Sequence, residues 1–165
     1  IGRLNALKNI DMMLLACSRL RQKPRIAVAG SGEELAKLRS IAQQRELDVT
    51  FLGQVDEKQK WKLLVESRLL VFPTSFEGFG MPPLEALAAG IPALCSDIPI
   101  LKEIYGNHAH YFKLNDVGDM KRKMQRILDG KIRRSSQAER FVEKFTWERA
   151  AKTIERLLYA NGDTR

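Results

Sequence analysis

Short apolar runs alternate along this chain with longer amphipathic stretches, and that alternation constrains the fold more than any other feature. The runs are Arg25-Ile26-Ala27-Val28-Ala29-Gly30, Val49-Thr50-Phe51-Leu52-Gly53, Leu69-Leu70-Val71-Phe72, Pro92-Ala93-Leu94-Cys95 and His110-Tyr111-Phe112. Ile1-Gly2-Arg3-Leu4 reads as the tail of a further strand. Helical patterns cover 10–20, 33–45, 57–67 and 100–105, then 117–129, 136–144 and 147–160. Continuous apolar strands are buried on both faces, and their alternation with helices predicts βαβ units. The expected fold is therefore α/β, with a parallel sheet covered by helices on both faces in three layers. Asn9 is expected to cap the first helix with its side chain. In that helix Met13, Leu14, Cys17 and Leu20 share one face. In the 57–67 helix Trp61, Leu64 and Val65 are expected to point inward.

The 165 residues suffice for one domain with its own core. The chain opens on Ile1 and on the apparent end of a strand, so it is expected to be a fragment that lacks a preceding segment. Its longest apolar run, Met12 to Cys17, is far below the roughly 18 residues of a membrane span. No signal-peptide pattern is visible, so the expected location is cytoplasmic. Cys17 and Cys95 have no metal-ligand spacing and are expected to be free and buried. The net charge of +8 is local: residues 121–134 hold seven basic side chains and one acidic, Asp129.

The second constraining feature is the junction Pro73-Thr74-Ser75-Phe76-Glu77-Gly78-Phe79-Gly80-Met81-Pro82-Pro83-Leu84-Glu85-Ala86, between the run ending at Phe72 and a helix. Strand-loop-helix junctions carry ligand sites in open α/β sheets. Gly78 and Gly80 allow positive φ and close approach of backbone to ligand. Glycine-flanked amides form anion-binding nests, and the free N–H groups and positive dipole end of the following helix are expected to face the loop. Pro82 or Pro83 suits the first helical turn. The carboxylates of Glu77 and Glu85 suit sugar hydroxyls, which donate hydrogen bonds.

Glu77 and Glu85, with seven residues between them and Gly-Phe-Gly-x-Pro inside, resemble the E-x7-E signature of retaining glycosyltransferases with the GT-B fold. The string is most similar to the large family usually called family 4. The resemblance extends through Ala88-Ala89-Gly90-Ile91-Pro92, Ser96-Asp97 and Glu103, back to Gly2-Arg3-Leu4 with Lys8-Asn9, and forward to Phe145-Thr146-Trp147-Glu148. It implies a Rossmann-like domain, the C-terminal half of a GT-B fold. Residues 1–165 would then be a single nucleotide-sugar-binding domain, a fragment without its N-terminal acceptor domain. The implied activity is transfer of a hexose from a nucleoside diphosphate sugar to a glycan or lipid-linked acceptor.

The resemblance also implies roles. Arg3 and Lys8 contact the donor diphosphate, Glu77 the sugar hydroxyls and Glu85 the ribose. The backbone at Gly78, Phe79, Gly80 and Met81 lies beside the sugar and phosphate, with Leu84 in the same pocket. Val55, in Gly53-Gln54-Val55-Asp56, lies at the base. No cofactor is implied, and no metal, since two cations can stabilise the leaving diphosphate. The last helix resembles one that often crosses back to the other domain, so an apolar patch is expected there.

Other features have plainer readings. Lys60 reads first as an exposed helix lysine, with assistance at the diphosphate or base as the alternative beside the resemblance. Gly30-Ser31-Gly32 lacks the third glycine of a dinucleotide fingerprint, that position being Leu35, and reads as a tight turn. His108 and His110 are too isolated for a metal site and read as structural. The basic stretch from Lys121 to Arg134 reads as a solvated helix face or as a peripheral contact with anionic membrane. Nucleic acid is disfavoured because no aromatics interleave the cations. Two other function classes share the donor pocket: a non-catalytic nucleotide-sugar-binding or regulatory module, and a GT-B epimerase.

Overall fold

A computed structural model describes residues 1–131 and 138–160, with the side chains of residues 139 and 157–160 set aside. Residues 132–134 of the basic stretch, the expected helix start at 136–137 and the C-terminal residues 161–165 lie outside the described residues. A 3₁₀ turn at Ala6–Lys8 precedes α1 (Ile10–Ser18). Then come β1 (Ile26–Ala29), α2 (Leu35–Gln44), β2 (Val49–Gly53), α3 (Glu57–Glu66) and β3 (Leu70–Phe72). They are followed by α4 (Met81–Ala88), β4 (Ala93–Ser96), α5 (Pro99–Tyr105), β5 (His110–Phe112) and α6 (Val117–Leu128). Helices α7 (Ala138–Val142) and α8 (Trp147–Ala160) complete the order.

All strand pairing within the sheets is parallel. Among the described residues the strands form two sheets, β1-β2 and β3-β4-β5, with Ile26 opposite Val49, Leu70 opposite Ala93 and Leu94 opposite His110. Residues 1–4 form no strand. They run beside β1, where the Gly2 amide donates to Ala29 O at 3.0 Å. The expected three layers are visible in β4, whose four residues are all buried. Ala93 and Cys95 join a core with Phe72, Leu87, Leu101 and Phe141, while Leu94 joins the opposite core with Leu14, Leu38, Phe112 and Met120. Alternate side chains of one strand thus serve two cores, as burial on both faces requires.

Gly30-Ser31-Gly32 is a place of close chain approach. A Cβ on Gly30 would lie 1.7 Å from Gly2 O and one on Gly32 2.1 Å from Leu4 O. The two glycines let residues 2–4 cross this turn, and no nucleotide is needed to explain them.

Two local expectations are corrected. Asn9 takes the N-cap position of α1 in a left-handed conformation, φ 47°, but its side chain makes no cap bond. In α3 Leu64 is buried, whereas Trp61 and Val65 are 46% and 55% exposed. The inward row is Lys60 and Leu64, four residues apart, one step round the helix from the apolar row. At the far end Trp147 and Ile154 are exposed, at 89% and 59%.

Cys17 and Cys95 are free and buried, and burial pushes each thiol up to about 12. The thiolate is the reactive form. A thiol titration at pH 8 is therefore expected to find no reactive cysteine in the folded chain and two in denaturant. Rapid modification of either under native conditions contradicts this packing.

Candidate functional site

The site forms where two loops meet at the carboxyl ends of the strands. One is the turn Ala6–Lys8 with Asn9. The other is the loop after β3, from Pro73 to Gly80. The Ser75 amide donates to Leu7 O at 2.8 Å, and the Thr74 and Ser75 hydroxyls lie 3.2 Å from the same oxygen. Thr74 is fully buried, and its hydroxyl also reaches Phe76 O at 2.9 Å. The Asn9 side-chain amide donates to Pro73 O at 2.9 Å. That bond explains why Asn9 does not cap its own helix.

This docking delivers Lys8 to Glu77. Their ammonium and carboxylate form a direct ion pair, with the two side chains 22% and 16% exposed. The Lys8 ammonium also lies 5.6 Å from the centre of the Phe72 ring. A second pair stands beside it. Lys60 Nζ, from α3, lies 2.7 Å from Glu85 Oε1 on α4 and 2.9 Å from Glu57. Burial alone would lower the Lys60 pKa, but the hydrogen bonds and charges of Glu57 and Glu85 outweigh it and raise it. Lys60 is therefore a fixed cation.

Arg3 is not in this group. It is 75% exposed and sits 3.8 Å from Glu33. Val55 is half-buried ahead of α3, whose start is capped by Asp56 and Gln59 in a reciprocal box. Leu84 is 7% exposed and points into the core. Phe76 and Met81 project, at 71% and 53% exposed, and Phe79 meets Phe145 edge-on at 5.6 Å. Asp97 pairs with Lys102, and Glu103 is exposed on α5.

Gly80 turns the loop into α4 with φ 82°. A Cβ there would lie 2.9 Å from Leu101 Cδ2 and 3.2 Å from Phe72 Cε1, so both space and conformation demand glycine. Pro82 and Pro83 occupy the first turn and have no N–H to offer. The anion-binding capacity therefore shifts from the helix to the loop. Among the described residues, the amides of Gly78, Phe79, Gly80 and Met81 donate to no other group of the chain.

Sequence reasoning undervalued Lys60, gave Asn9 the role of a helix cap, and assigned no role to Thr74 or to Tyr105, whose hydroxyl donates to Gly80 O. The available signal for Lys60 was its place one turn past the Asp56 cap. His108 stacks on Phe141 at 4.2 Å, away from the glutamates. No three His, Cys, Asp or Glu side chains converge as a metal site among the described residues. The geometry offers two carboxylates for hydroxyl groups, two ammonium groups for phosphate and four amides between them.

Comparison with known proteins gives this geometry a context. The sequence model of a family described as "Glycosyl transferases group 1" matches residues 1–146. The serotype-specific mannosyltransferase WbdA of Escherichia coli is 31% identical over 173 residues, covering 95% of this chain and 21% of that protein. The O-antigen chain mannosyltransferase RfbU of Salmonella typhimurium is 37% identical over 93 residues, covering 55% of this chain and 26% of that protein. The chain thus spans only about a fifth to a quarter of these curated relatives. Among solved structures, sucrose-phosphate synthase from Thermosynechococcus elongatus superposes with a TM-score of 0.85 at 23% identity, covering 98% of this chain and 45% of that one. Anabaena HepE in complex with UDP and glucose gives 0.83 at 15% identity, covering 96% and 47%. At these identities the structures establish the shared fold.

Thr74→Val keeps the shape and removes the hydroxyl that ties the two loops. Loss of a buried hydrogen bond of this kind is expected to cost about 1–3 kcal/mol. Urea unfolding measures it, and an unchanged midpoint means the loops dock without Thr74.

Proposed function

Because the chain belongs to the group 1 glycosyl transferases, we propose that it is the donor-binding domain of a retaining, family 4 glycosyltransferase with the GT-B fold. It would move a hexose from a nucleoside diphosphate sugar to a glycan or lipid-linked acceptor. The observation that carries this reading is the pair of lysine-neutralised glutamates, Glu77 and Glu85, on one strand-loop-helix junction. Mannose is the hexose we favour, because WbdA and RfbU are named mannosyltransferases.

In this reading Glu85 accepts from the ribose hydroxyls and Glu77 from hydroxyls of the sugar. Val55 lies against the base. Phe76 and Met81 supply apolar surface at the mouth, and Leu84 supports the pocket from the core. As the bond from the anomeric carbon to the diphosphate oxygen breaks, that oxygen gains charge. Lys8 and the Gly78 to Met81 amides stabilise it more in the transition state than in the ground state. Arg3 joins them by leaving Glu33, a change that costs little because an exposed pair is weak. With two cations at the diphosphate, the reaction as proposed uses no metal and no cofactor. The acceptor would be held by a domain outside these residues. The chain alone would bind donor weakly and transfer nothing.

The partner surface includes more than the α6 stretch. The Arg21 amide donates to Gln125 Oε1 at 3.1 Å, and Arg68 donates to Leu128 O at 2.6 Å. The loop from Arg19 to Arg25, Arg68, and α6 through Lys131 together hold ten of the 28 cations and two of the 20 carboxylates. That leaves eighteen of each elsewhere, so the net charge is concentrated in these three segments. We propose that they meet anionic membrane from the cytoplasmic side. No helix among the described residues is long and apolar enough to span the bilayer.

Two outcomes are expected. In thermal-shift titrations with UDP, GDP, ADP and their sugars, one nucleotide class stabilises the chain by about 2.7 kcal/mol at 100 times its dissociation constant. Glu85→Ala abolishes the shift and Arg3→Ala reduces it. No shift with any nucleotide at millimolar concentration overturns the donor site. In flotation assays the chain binds phosphatidylglycerol vesicles at low salt, each basic side chain near the surface contributing about 1 kcal/mol, and releases them at high salt. Absence of binding at low salt removes the membrane contact and leaves the donor site intact.

A further inference from the structure

Tyr105 ends α5 and is fully buried. Its hydroxyl donates to Gly80 O, the left-handed residue at the hinge between the Glu77 loop and α4. No side chain of the loop caps α4, and the prolines of its first turn have no N–H to satisfy. Tyr105 therefore ties the residue just before α4 to the end of α5. Burial raises the phenol's pKa, so it stays protonated and remains a donor. On the outer side of the loop, Phe79 rests on Phe145.

Two residues lie between Glu77 and Gly80, and four between Gly80 and Glu85. A bond that fixes this hinge fixes the spacing of the two carboxylates. We propose that Tyr105 is a positioning residue of the donor site, whose hydroxyl, bonded to Gly80 O, sets the Glu77 loop against α4 and so governs recognition of the sugar beyond the nucleotide. This inference rests on the donor-site reading given above.

Tyr111 provides the control. Its hydroxyl donates to Leu101 O at 3.1 Å in a partly buried setting, on α5 and not on the Glu77 loop. Tyr105→Phe and Tyr111→Phe each remove one hydroxyl–carbonyl bond, so both are expected to lower the unfolding midpoint. Affinities for a nucleoside diphosphate and for its sugar conjugate are then compared by calorimetry, using the nucleotide class that stabilises the wild type. Tyr105→Phe is expected to weaken the sugar conjugate about tenfold, the scale of one well-placed hydrogen bond, and to change the bare nucleotide less than about twofold. Tyr111→Phe should leave both unchanged.

Equal weakening of both ligands by Tyr105→Phe, no weakening, or the same selective loss in Tyr111→Phe overturns the assignment. So does a wild type that gains nothing from the sugar. A wild type that binds no nucleotide overturns the donor site itself, and the two failures are thereby distinct. Should Tyr105→Phe not fold, fluorotyrosine labelling of the unmutated chain replaces it. The Tyr105 fluorine resonance should move with the sugar conjugate and stay with the nucleotide alone, and an identical response to both overturns the assignment.

Discussion

The site depends on one carbonyl. Leu7 O faces the Ser75 amide and the Thr74 and Ser75 hydroxyls. A carbonyl has two lone pairs, so the amide at 2.8 Å is the firm partner and the hydroxyls share what remains. This contact joins residues more than sixty positions apart, and it sits at the edge of the sheet where backbone groups have no strand partner. Unpaired buried backbone is costly, so the two loops either satisfy one another or stay wet. By satisfying one another they bring Lys8 under Glu77. The geometry of the candidate site is in this sense a consequence of backbone accounting.

The ion pairs follow from that placement. Glu77 and Glu85 are each mostly covered, and a covered carboxylate without a counter-charge is expensive. Lys8 and Lys60 remove that cost in the unliganded chain. On the donor reading, a nucleoside diphosphate sugar brings hydroxyls for the carboxylates and phosphate for the lysines. Each partner then exchanges one favourable contact for another, and no charge is left buried alone. The site can therefore stand ready without ligand. A pocket holding two bare carboxylates or two bare lysines could not.

Much of the fold was legible because hydrophobic period is a local property. The five strands, and most of the helices, lie where the apolar runs and amphipathic patterns put them. What failed was orientation. In α3 the eye follows Trp61 and Val65, yet the inward row is Lys60 and Leu64, because Glu85 on the neighbouring helix supplies a partner that no local pattern contains. Asn9 has the composition of a cap, and its amide goes instead to Pro73, a long-range bond. Lys8, Glu77 and Glu85 stood out through motif spacing, and the structure gathers them. Arg3 stood out equally and lies apart on Glu33, since an exposed arginine settles on the nearest carboxylate. Leu84 lies in the motif but serves the core.

The sequence also suggests a helix N-terminus as the anion site, and here local chemistry alters the expectation. A helix offers anions its first free N–H groups as well as its dipole. In α4 two of those positions are proline. The dipole remains while the donors move back into the loop, to Gly78, Phe79, Gly80 and Met81. Loop amides are less rigid than helix amides, so their aim has to be set by other contacts. Phe72 and Leu101 leave room only for glycine at position 80, Tyr105 holds its carbonyl, and Phe145 supports Phe79. The aromatic packing around this loop thus does for the loop amides what helical hydrogen bonding does elsewhere, and the prolines that end the motif are the reason such packing is needed.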